Sequence, residues 1–123
     1  MALIDTQKMR LYRQSARRRA EQKEHELQRR HQWALSIAEE AAEILKNEFQ
    51  VQRVVLFGSM VSWQTTHANS DLDLAVWGLA DDALYSAMGK LLALDNRLKI
   101  DLVMAEDVSP NVMAEIERSH LEL

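Results

Sequence analysis

No glycine or proline interrupts the chain between Thr6 and Phe49, and all three glycines and the single proline of its 123 residues lie beyond residue 57. The uninterrupted run is rich in Arg, Gln, Glu, Ala and Leu, side chains that a helix accommodates at little entropic cost. It predicts one long helix, whole or broken once. Its second half carries Trp33 or Ala34, Ile37, Ala38, Ala41, Ile44 and Leu45 at i, i+3, i+4, i+7 spacing, the stripe of a helix docked on a core. Its first half offers only Leu11, Tyr12, Ala16, Ala20 and Leu27 among seven arginines. The heptad line Ala20, Leu27, Ala34, Ala41 has Lys23 and Arg30 at its partner positions, which disfavours a stable coiled coil. The chain therefore reads as a basic helical extension over 1–30 and one domain over 31–123. The extension protrudes, or forms a homo- or hetero-oligomer contact.

Charge follows the same division. Residues 1–30 hold nine Lys or Arg against four acids, and the remainder holds six against fifteen. A basic arm suits an acidic partner or nucleic acid. Its interleaved aromatics are only Tyr12 and Trp33, thin support for base stacking, so a solvated helix is the preferred reading and nucleic acid is not expected. The absence of cysteine excludes disulfides and thiolate zinc sites. Without a signal-peptide core or a membrane-length apolar run, a cytoplasmic location is expected and a membrane is not.

Beyond the helix, Val51–Phe57 is β-branched and apolar enough for a buried strand, ended by Gly58. Residues 59–63 open a short helix and 65–70 form a polar loop. A second strand, Asp71–Trp77, alternates Leu72, Leu74 and Val76 with Asp71, Asp73 and Ala75. Asp81 or Asp82 caps a crossover helix to about Leu94, with Leu84, Met88, Leu91 and Leu92 at helical spacing. A third strand over 99–105 alternates Ile100, Leu102 and Met104 with Asp101 and Val103. Ser109-Pro110, an N-cap followed by proline, starts a last helix through about Arg118. The expected fold is α/β (α+β): a small mixed sheet with helices on one face and an open catalytic face, preceded by the long N-terminal helix.

In the second and third strands the acid lies opposite the apolar set. Strands sit about 4.8 Å apart and i, i+2 side chains roughly 6.6 Å apart, so Asp71, Asp73 and Asp101 can converge. Three carboxylates so close either raise their pKa values or recruit divalent cations, and hard oxygen ligands suit Mg²⁺ or Mn²⁺. Gly58-Ser59 offers backbone N–H groups and a hydroxyl to a phosphate. Either short motif alone is common in turns and strand ends; together with a third aspartate on a later strand they read as a phosphate-transfer site. His67 reads as a solvated loop residue, and Trp63 as packing rather than base stacking.

This combination, with LFGS at 56–59, SDLDLAV at 70–76 and KIDLV at 99–103, resembles the minimal nucleotidyltransferases of the polymerase-beta-like superfamily. The likeness spans about residues 34–120. It implies that Asp71 and Asp73 bind the catalytic metals, Mg²⁺ or Mn²⁺, and that Asp101 completes the site and acts as base. It implies further that Gly58, Ser59 and Ser70 hold the nucleotide, with ATP as donor. Small members of this superfamily often accompany a HEPN-type toxin as its antitoxin, in some cases by transferring AMP to it, so a HEPN-type or similar small helical protein is the implied partner. Relatives commonly read Gly-Ser-x-Ala-Arg-Gly, whereas this chain has Met60, Val61, Ser62 and Trp63 in the next four positions. Loss of the arginine at Ser62 removes a charge-assisted hydrogen bond of about 1.5–3 kcal/mol to phosphate. That departure motivates an alternative: a binding module of the same fold that masks its partner through the long helix.

Overall fold

A computed structural model describes residues 6–123; residues 1–5 of the expected extension lie outside them. The first element is α1, one unbroken helix over Thr6–Phe49. It ends at Gln50, whose left-handed φ of 54° turns the chain, while the Val51 N–H bonds back to the Leu45 carbonyl at 3.2 Å. The helix crosses residue 30 without a break. Most of 6–26 is exposed, an arm of about 30 Å at 1.5 Å per residue. From Ala34 onward the predicted stripe is buried: Ala34, Ile37, Ala38, Ala41, Ala42 and Leu45.

Four strands form one sheet: β1 (Arg53–Phe57), β2 (Leu72–Trp77), β3 (Ile100–Met104) and β4 (His120–Glu122), in the order β3-β2-β1-β4. The pair β1 and β2 is antiparallel, β2 and β3 are parallel, and β4 runs antiparallel to β1. The parallel step requires a crossover. It is made by a short 3-10 turn at Asp81–Ala83 and then α2 (Leu84–Leu92), so the expected helix begins and ends slightly inside its predicted limits. The last helix, α3 (Pro110–Arg118), starts as its residues dictate: the Ser109 side chain accepts from the Val112 N–H at 3.3 Å, with Pro110 in the first turn. The reading along the chain missed β4, which is three residues long and polar at both ends.

One sheet face is the main core. Val54, Leu56, Leu72, Leu74, Val76, Ile100, Leu102 and Met104 pack there against α1 and against Ala87 and Leu91 of α2. The other face is shared. Ile116 of α3 packs on Val55, Phe57 and Ala75, with Val112, Trp77 and Val103 alongside, while Asp73 and Asp101 on the same face stay partly exposed. Among the described residues no helix is long and apolar enough to cross a membrane.

Leu45 is fully buried, so Leu45→Ala should cost about 2–5 kcal/mol of unfolding free energy in urea titrations. A chain beginning at Lys23 loses little buried surface and should change by about 1 kcal/mol or less in the same measurement.

Candidate active site

Strand register aligns the carboxylates. Phe57 pairs with Asp73 and Asp73 with Asp101, one row running across three strands. Paired residues project from the same face, so the Asp73 and Asp101 side chains are neighbours at about one strand spacing, 4.8 Å. Asp71 precedes β2 by one residue and Asp73 by two, and its charge is felt at Asp73. Lys99 Nζ lies 3.8 Å from Asp101 Oδ1, an exposed contact of small energetic weight.

Asp73 is the electrostatic focus. Its pKa is pushed up to about 6, first by burial and then by Asp101, Asp71 and Glu115, with Lys99 opposing. Desolvation and like charge both penalise the ionised form. Gly58 adds to the enclosure: it has φ +81°, and a Cβ there would overlap Asp73 Oδ2 and sit 3.3 Å from Asp73 Cγ. Only glycine gives the chain that turn and lets it pass so close to the carboxylate.

From Gly58 a 3-10 turn runs to Val61, the short helix expected at 59–63 in tighter form. The loop beyond it is braced by hydroxyls. Ser59 Oγ donates to Ser70 Oγ at 2.9 Å, and Ser70 Oγ also accepts from the His67 N–H at 2.8 Å. Thr65 Oγ1 donates to the Ser59 carbonyl at 2.6 Å, and Thr66 Oγ1 to the Ser62 carbonyl at 2.9 Å. Arg30 Nη2 reaches the Ser70 carbonyl at 3.4 Å, tying α1 to the same loop. Ser70 is buried and its hydroxyl is committed to Ser59 and His67, so its observed work is to fix Ser59. His67 is exposed; Trp63 is half-buried and joins neither core cluster.

Beside Gly58 and Ser59 opens a cleft of about 310 Å³ whose far wall is α3, through Glu115 and Arg118. Reading the sequence did not pick out these two residues. They fall outside the apolar stripe of α3, and only the return of the chain into β4 turns that side of the helix toward the glycine turn.

The resemblance implies a divalent cation here, and the donors present fit one. Asp73 and Asp101 are hard oxygen donors in one row, and the raised pKa of Asp73 records negative charge that a cation would relieve. Among the described residues no group of three or more His, Cys, Asp or Glu side chains is placed to hold a metal ion by itself. Mg²⁺ asks for none, because it keeps waters and uses one or two carboxylates plus substrate phosphates.

Comparison with known proteins agrees with this geometry. Residues 39–123 match the family model "Polymerase beta, Nucleotidyltransferase". Among solved structures, a chain of a toxin-antitoxin crystallised with AMP-PNP superimposes with TM-score 0.56 at 26% identity, over 68% of this chain and 70% of that one. A chain of the complex of a tri-AMPylated Shewanella oneidensis HEPN toxin with an MNT antitoxin gives TM-score 0.55 at 19% identity, over 72% and 70%. The toxin-antitoxin MntA-HepT gives 0.53 at 22%, over 72% and 69%. The last two establish the fold alone. No curated protein matches the chain.

Because the folded pKa of Asp73 lies above its unfolded value, stability is greatest with the carboxyl protonated, below about pH 4, and declines as pH rises toward 6. Asp73→Asn removes that penalty. After discounting for its partial exposure, the variant should be about 1–2 kcal/mol more stable than wild type at pH 8, and the difference should fade by pH 4 in urea titrations. Gly58→Ala, which combines strained φ with the overlap on Asp73, should lose about 2 kcal/mol or more in the same assay.

Proposed function

The chain belongs to the polymerase beta nucleotidyltransferase family, and from that premise we propose that it is a cytoplasmic enzyme transferring AMP from ATP to a partner protein, as the antitoxin of a HEPN-type toxin. The observation that carries the reading is the row Phe57, Asp73, Asp101 with Gly58 against Asp73. It joins a carboxylate cluster to a glycine turn at the mouth of a cleft. The partner class is supported by the toxin-antitoxin chain crystallised with AMP-PNP, to which this chain is 26% identical.

In this reading the triphosphate lies along Gly58 and Ser59, where the backbone comes close because position 58 has no side chain. Ser70 holds the Ser59 hydroxyl at the cleft edge. Asp71, Asp73 and Asp101 would hold Mg²⁺ or Mn²⁺, which when bound supplies positive charge against the phosphates. The acceptor hydroxyl oxygen forms a bond to the α-phosphorus, the bond to pyrophosphate breaks, and the acceptor proton passes to Asp101. Asp101 keeps 43% of its side chain exposed beside the part of the face that α3 covers, so in this reading the acceptor arrives from outside the chain.

A second reading rests on the exposed arm of α1, where Leu11 and Tyr12 are 62% and 66% exposed. There the fold is a binding module that masks its partner without chemistry.

Labelled ATP, Mg²⁺ and a co-encoded HEPN-type protein should yield a labelled partner with wild type, and at least about a hundredfold less with Asp71→Asn plus Asp73→Asn. Equal labelling by that double variant rejects transfer. If neutralisation of the partner survives the double variant but is lost in a chain beginning at Lys23, the masking reading holds instead.

A further inference from the structure

The cleft beside the glycine turn contains one positive charge, and its position is unusual in this molecule. Seven Lys or Arg side chains occur from residue 30 onward. Six are engaged: Arg30 with the Ser70 carbonyl, Lys46 with the Leu123 carbonyl, Arg53 with Glu122, Lys90 with Glu48, Arg97 with Asp95 and Lys99 with Asp101. The seventh, Arg118, is exposed and has no hydrogen-bond or ion-pair partner among the described residues, although Glu115 stands one turn away on the same helix. It lines the cleft together with Gly58, Ser59, Ser62 and Thr65.

We propose that Arg118 is the phosphate clamp of this site, a guanidinium supplied by the last turn of α3 that binds the nucleotide's phosphate chain across the cleft from Gly58-Ser59. The proposal rests on the nucleotide reading of the cleft and adds the residue that gives it anion affinity. Without a cation, the surroundings oppose a polyphosphate: Glu115 lines the same wall, and Asp71, Asp73 and Asp101 lie just past Gly58. The hydroxyls of Ser59, Ser62 and Thr65 carry no charge, and those of Ser59 and Thr65 are already hydrogen-bonded within the turn. A planar guanidinium donates two parallel hydrogen bonds to phosphate oxygens, stronger than neutral donors and geometrically selective. Ser62 contributes no charge at the position where the sequence pattern leads one to expect an arginine. In this molecule the positive charge comes instead from residue 118, brought to the turn by the β1–β4 pairing.

An arginine in the last turn of a helix also complements the helix dipole. That role would affect stability and leave phosphate affinity unchanged. The test is calorimetric titration of wild type, Arg118→Gln and Arg118→Lys with ATP and separately with inorganic tripolyphosphate, in Mg²⁺ buffer, alongside thermal melting. The expected result is that Arg118→Gln weakens both ligands by about tenfold or more while melting near the wild-type temperature, and that Arg118→Lys falls between. Wild-type ATP affinity in a folded Arg118→Gln overturns the clamp and leaves the nucleotide site standing. Arg118-dependent tripolyphosphate binding without ATP binding keeps the clamp and removes the nucleotide reading. Wild type binding neither ligand overturns both.

Discussion

The parallel register of β2 against β3 is the constraint on which the site depends. Leu72 faces Ile100, Leu74 faces Leu102 and Val76 faces Met104, so the intervening pair is Asp73 with Asp101. A one-residue slip of β3 would carry Asp101 into the core and push Ile100, Leu102 and Met104 out. At about 1.5–3 kcal/mol for each large aliphatic side chain, that exposure alone costs roughly 5–9 kcal/mol, on the scale of a small domain's whole stability. Burying an unpaired carboxylate adds more. The carboxylates are therefore placed by their apolar neighbours, and the chemistry inherits its geometry from the core.

That placement has an opposing electrostatic cost, and the loop over 58–71 is built around it. Asp73 sits among three other acids, with Lys99 opposing them. Gly58 closes on it because no side chain stands in the way. The chain leaving Gly58 would be mobile if left to water, but Ser59, Thr65, Thr66 and Ser70 spend their hydroxyls on it, and Arg30 reaches over from α1. Local hydrogen bonds of about 1 kcal/mol each are individually modest. As a set they add to the packing of Met60, which anchors the same turn in the core.

What could be read from residues alone divides along the same physical line. The continuity of α1 and its end near Phe49, the alternation in β2 and β3, and the Ser109-Pro110 start of α3 follow from periodicity and capping, signals carried by neighbouring residues. The convergence of Asp73 and Asp101 was legible because alternation fixes which face an acid takes. Strand β4 was not: His120, Leu121 and Glu122 are too few to show a period, and they become a strand only because β1 has a free edge to pair with. Missing β4 meant missing where α3 returns, and so which of its residues face the cleft. Burial of Ser70 was also hidden, since a serine beside Asp71 reads the same whether its hydroxyl faces solvent or Ser59.

The continuity of α1 joins the two halves of the molecule. An isolated helix as polar as residues 6–26 would be marginal in water, because nucleation is costly and few apolar contacts reward it. Here the nucleus already exists. The half from Ala34 to Leu45 is folded onto the sheet by burial, and each outward residue adds one hydrogen bond to an established helix. The arm thus takes its shape from the core without touching it, and its free energy of formation is small per residue. Its charge keeps it solvated, while Leu11 and Tyr12 remain on its surface. A partner that binds this arm meets a helix whose ordering cost has largely been met by the domain, and the same helix is tied to the site loop further along, at Arg30.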